Sequence, residues 1–88
     1  MTSQVAEAKK LAVSVVYDGD VKLSPYHKHE EVQKLLDHAK QAFEVVSNHL
    51  LSLFAPDGTE LPDDISLEAA GVKPGEQLVL GQSVIKGG

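Results

Sequence analysis

Hydrophobic and polar residues alternate from Lys9 to Tyr17, with Leu11, Val13, Val15 and Tyr17 on one side and Ala12, Ser14 and Val16 on the other. A period of two in a β-branched run is that of a strand, and apolar residues on both faces place it inside a sheet. Asp18-Gly19 follows, a pair that tolerates positive φ and closes a two-residue hairpin. Asp20 to Leu23 is the return strand, with Val21 and Leu23 on one face. Ser24-Pro25 ends it, because proline has no N–H for a ladder. Ahead of the first strand, residues 1–8 are polar, small and without a period, and read as a flexible arm.

The period then lengthens. Val32, Leu35, Leu36, Ala39, Ala42 and Phe43 recur at helical spacing, which predicts one amphipathic helix from about Glu30 to Phe43 or Glu44. Glu30 and Glu31 are expected in its first turn, at the positive end of the helix dipole. The N-cap is poor, with His29 or Lys28 where Ser or Asp is usual. Beyond the helix, His49 to Phe54 is a third strand. Ala55-Pro56-Asp57-Gly58 is a tight turn, and Thr59 to Leu61 a short fourth strand broken by Pro62. Ile65 to Val72 predicts one short helical turn stopped by Gly71. Lys73-Pro74-Gly75-Glu76 turns the chain into a last strand, Gln77 to Leu80.

One helix must therefore cover one face of a mixed sheet of four to five strands, a two-layer α+β arrangement. The first and last strands are the most apolar and are expected side by side in its middle. Which of Leu53 and Phe54 faces inward depends on register, since a slip of one residue reverses both.

Composition narrows the function. With 88 residues, 42% of them hydrophobic, the chain is a single small globular domain. It has no Cys, which removes disulfides, thiolate metal sites and thiol catalysis by the chain itself. Net charge is −5, and all 8 basic residues are Lys. Nucleic-acid binding needs basic excess and favours Arg forks, so it is not expected. No secretory or membrane-spanning run is present, and a cytoplasmic monomer is the expectation. His27 and His29 lack a third ligand at convincing spacing for zinc. Asp57, Glu60, Asp63 and Asp64 lack the regular spacing of a calcium loop and read as a solvated face. No metal or cofactor is expected.

The sequence ends on Gly87-Gly88 after a mixed stretch, Gly81-Gln82-Ser83-Val84-Ile85-Lys86. Two glycines have no side chain to pack, but they make a thin thread that fits a narrow enzyme channel. Together with Leu51-Ser52-Leu53-Phe54, Asp57-Gly58-Thr59-Glu60-Leu61, Ile65-Ser66-Leu67 and Leu78-Val79-Leu80, in that order and spacing, this end resembles the ubiquitin-fold (β-grasp) proteins. The likeness covers residues 9–88 and is closest to the small bacterial ubiquitin-like modifiers. It implies a flexible arm (1–8), a ubiquitin-like domain (9–81) and a flexible conjugation tail (82–88).

The resemblance also implies a chemistry in which the chain is substrate and not enzyme. An ATP-dependent activating enzyme would adenylate the Gly88 carboxylate. The acyl group would pass through a cysteine thioester, on a conjugating enzyme, to a lysine of a target protein, and a deconjugating peptidase would reverse the step. Ile85, Lys86 and Gly87 would be read by the enzymes that hold the tail. Ser52, Phe54 and Val79 would form a binding patch on the sheet. The tail is longer than in ubiquitin and lacks its arginines, which implies a dedicated activating enzyme. Two alternatives share the resemblance: a sulfur carrier, whose activated carboxylate becomes a thiocarboxylate, and an interaction domain that never becomes covalent. Asp-Gly-Thr-Glu-Leu and Leu-Val-Leu resemble the modifiers more than the sulfur carriers.

Overall fold

The computed structural model describes residues 11–46 and 50–86. Along them run β1 (Leu11–Tyr17), β2 (Asp20–Tyr26), α1 (Val32–Ala42), β3 (Leu51–Phe54) and β4 (Gln77–Gln82). The expected arm at 1–8 lies outside the described residues, as do Lys9, Lys10, His49, Gly87 and Gly88.

The strands form one mixed sheet in the order β2-β1-β4-β3. The first and last strands are its central pair, as their apolar content predicts, and they run parallel, with Val15 opposite Leu78 and Val16 opposite Val79. The other two pairings are antiparallel. Asp18 and Gly19 close the first hairpin with φ of 52° and 86°, the left-handed pair that matches the twist of a two-residue turn. β2 continues through Pro25, which pairs with Ala12, as far as Tyr26. The proline does not end it, because β2 is an edge strand and one side of its backbone needs no partner.

One face of the sheet is covered. Val13, Val15, Leu53, Leu78 and Leu80 from the strands meet Val32, Leu35, Leu36 and Ala39 from α1, with Leu61 and Leu67 closing the core between them. The helical stripe is as predicted except at its end: Ala42 is exposed and Phe43 is half-buried. The Phe43 ring tilts against Tyr17 at 5.6 Å, and Lys22 Nζ lies 5.6 Å from its centre, so the end of the helix rests on the hairpin.

The start of α1 differs from expectation. Glu31 is the N-cap and offers no side-chain hydrogen bond, and no acid lies in the first turn. Its free N–H groups are instead met by carbonyls of a distant loop: Val32 N donates to Ile65 O at 2.9 Å and Gln33 N to Asp63 O at 3.0 Å. A tertiary contact thus replaces the missing cap. The segment 65–72 holds the single expected helical turn, closed by Ala70 N to Ser66 O at 2.9 Å. Leu67 N donates across to Glu30 O, and Gly71, at φ 83°, turns the chain out. The fourth strand expected at Thr59–Leu61 is reduced to a single bridge between Phe54 and Glu60. The bridge is flanked by Ala55 N to Thr59 O and Leu61 N to Leu53 O, and the next carbonyl along β3, Leu51 O, accepts the Lys86 ammonium instead of a backbone donor. Among the described residues, no helix is long and apolar enough to cross a membrane.

Candidate functional site

The uncovered face of the sheet carries an apolar row. Alternation puts Val13 and Val15 on the core side of β1, so Val16 points outward. Register then lines up Val21, Val16, Val79 and Phe54, one from each strand, across the whole sheet. Leu23, two residues along β2 from Val21, is 73% exposed and Val79 is 41% exposed. Phe54 is half-buried, and its ring edge comes close to the backbone of Gly81: a Cβ there would meet Phe54 Cε1 at 3.5 Å.

The register around Phe54 is therefore settled. Leu53 faces the core and is fully buried, while Phe54 faces outward beside Val79. Ser52 does not join them as an accessible patch residue. It lies on the same outer side of β3, but its accessible surface is nil, because the chain beyond β4 folds back over it.

That return is built on Glu60. Its Oε2 accepts hydrogen bonds from the Ser52 hydroxyl at 2.7 Å and from the Ser83 hydroxyl. Its Oε1 accepts the Val84 amide at 2.9 Å and, more loosely, the Ile85 amide at 3.4 Å. Ser83 is held twice more: its amide donates to Leu50 O at 2.8 Å, and its hydroxyl oxygen accepts the Lys86 amide at 2.8 Å. The Lys86 ammonium donates to Leu51 O at 2.8 Å and pairs with Asp63 Oδ2. Asp63 in turn gives its backbone carbonyl to the start of α1, while its Oδ1 is buried without a partner. Partial burial alone would raise the Glu60 pKa, but the bonds from Ser83, Ser52, Val84 and Ile85 outweigh it and hold the carboxyl down at about 2.

Residues 82–88 were expected as a free tail. Gln82 belongs to β4, and Ser83 to Lys86 are bonded to β3 and to the loop after it. Of the residues expected to be read in the tail, Lys86 is tied down and half-buried, whereas Ile85 is 69% exposed and its neighbour Val84 74% exposed. Gly87 and Gly88 lie outside the described residues. The acidic cluster divides in two. Asp57 caps its own turn through Thr59 N at 3.0 Å, which lowers its pKa, whereas Glu60 and Asp63 hold the returning chain. Glu60 and Asp63 are therefore not part of a solvated face, in contrast to the expectation from spacing alone. The only side-chain signals are the Ser83 hydroxyl and the Lys86 ammonium; the bonds from Val84 and Ile85 come from backbone amides, which no residue type announces.

Comparison with family models finds no match, and comparison with curated proteins finds none either. Solved structures do match in shape. A de novo design based on ubiquitin superposes with a TM-score of 0.74 at 20% identity, over 85% of this chain and 90% of that one. The ubiquitin-like (UBL) domain of Plasmodium falciparum Dsk2 gives 0.72 at 20% identity, over 84% and 99%. The ubiquitin of Caldiarchaeum subterraneum gives 0.70 at 19% identity, over 85% and 96%.

Proposed function

On this ubiquitin-like β-grasp fold, we propose that the chain is a protein modifier, activated at Gly88 and transferred to lysines of target proteins. The observation that carries the reading is the path of β4. It runs from the middle of the sheet into Ser83–Lys86, and in the sequence Gly87-Gly88 follow directly on that segment. Their lack of Cβ suits an enclosed acyl-adenylate, which a side chain would crowd. The chain is the substrate throughout. An ATP-dependent adenylating enzyme supplies activation, a conjugating enzyme carries the thioester, and a deconjugating peptidase removes the modifier. Phe54 and Val79, with Val16 and Val21 beside them, are the surface these partners hold, and the setting is the cytoplasm.

The test is mass spectrometry of the protein from its own host. Lysines of other proteins bearing a branch derived from Ser-Val-Ile-Lys-Gly-Gly are the expected result. A chain with one oxygen of Gly88 replaced by sulfur would instead establish a sulfur carrier. An unmodified carboxylate throughout, with an activating enzyme present, would overturn both and leave a non-covalent binding domain.

A further inference from the structure

We propose that Glu60 and Asp63 form a latch for the chain end, and that Ser83–Lys86 exchanges between the docked form seen here and a released form that alone can enter an enzyme channel. Three observations carry it. First, the contacts are specific to one backbone conformation. One carboxylate takes two consecutive amides on one oxygen and two hydroxyls on the other, a pattern that fixes the chain rather than brushing it. Second, the segment buries polar groups and almost no apolar surface. Val84 and Ile85 turn their side chains to solvent, so no apolar burial opposes release, and only polar bonds that water can replace have to break. Third, docking removes surface as well as freedom. It buries Ser52 at the margin of the outer row and engages the Lys86 ammonium on Leu51 and Asp63.

The reach of the chain shows the consequence. With Lys86 docked, Gly88 is two residues on, a span of at most about 7 Å. Released after Gln82, the same glycine has six residues and about 20 Å. The latch itself stands on the contacts above. Its bearing on acyl transfer rests on the modifier reading, and the two fail separately, because the latch is tested on the isolated chain.

Backbone relaxation and amide exchange by NMR supply the first readout. Val84 and Ile85 are expected to show order parameters near those of the sheet, about 0.85, falling below about 0.6 when released. Glu60→Ala removes the acceptor. Val84→Pro removes one donor from a residue outside every strand, so the head stays folded even where Glu60→Ala destabilises it. The second readout is trimming of the chain end by a broad-specificity carboxypeptidase, whose own channel demands a free thread. A segment docked nine-tenths of the time is trimmed past Lys86 about tenfold more slowly than one that is always free, so Glu60→Ala, which removes every bond to that carboxylate, should speed trimming towards that factor, and Val84→Pro, which removes one, by a smaller but measurable factor. Order parameters below about 0.6 in the unsubstituted chain would overturn the proposal. So would equal trimming of the unsubstituted and Val84→Pro chains.

Discussion

Leu53 and Phe54 are adjacent apolar residues that the fold assigns to opposite faces, and truncating each in turn tests that assignment. Leu53 is fully buried among Val13, Leu78, Leu80 and the helical stripe. Leu53→Ala removes its contacts and leaves a cavity under the helix, at a cost between about 2.7 and 5.0 kcal/mol. Phe54 is half-buried on the outer face, against Val79 and Gly81. Fully burying such a side chain is worth about 1.5–3 kcal/mol, so half of that, about 1 kcal/mol, is the expected cost of Phe54→Ala. A domain of this size holds only about 4–13 kcal/mol in total. At about 4–8 °C per kcal/mol, Leu53→Ala lowers Tm by at least about 11 °C and Phe54→Ala by about 4–8 °C. Urea denaturation followed by circular dichroism gives both costs in one series. Equal costs, or a larger cost for Phe54→Ala, would refute the register and with it the outer row from Val21 to Phe54.

Two further outcomes follow from local geometry. Gly19 sits at φ 86° with nothing within 4 Å of where a Cβ would stand, so Gly19→Ala should cost about 1–2 kcal/mol through backbone strain alone; a neutral result in urea denaturation would show that the hairpin relaxes to another turn. Glu60 is held at about 2 against an ordinary 4.5, so its stabilising contribution is complete above pH 4.5 and is lost as pH falls through 2; the Val84 amide resonance should titrate with a midpoint near 2, and a midpoint near 4.5 would mean that the carboxylate is not bonded as described.

Periodicity alone located the central strands and α1, because each buries a repeating set of side chains: Val13 and Val15 at a period of two, Val32, Leu35, Leu36 and Ala39 at a helical one. What it misplaced depends on contacts between distant residues. Pro25 continues a strand because β2 has an outer edge, which only the assembled sheet defines. The start of α1 is capped by carbonyls of residues 63 and 65, and no local signal near Glu31 announces them. Ser52 fits an exposed patch by alternation, and it points to the correct side, but residues 83–86 cover that side. Glu60 and Asp63 read as solvated for the same reason: their partners are donors from the other end of the domain.

The parallel ladder between β1 and β4 pairs Ser14 with Gln77, 63 residues later. A growing chain thus holds an incomplete sheet, with the inner edge of β1 open, until β4 has left the ribosome. Contacts of such long separation close late and slowly. Ser83–Lys86 is made only after the strand that completes the sheet, so a half-synthesised head leaves the Glu60 carboxylate without its partners from beyond β4. Completion of the sheet and docking of Ser83–Lys86 onto Glu60 are thereby tied to the same stretch of translation.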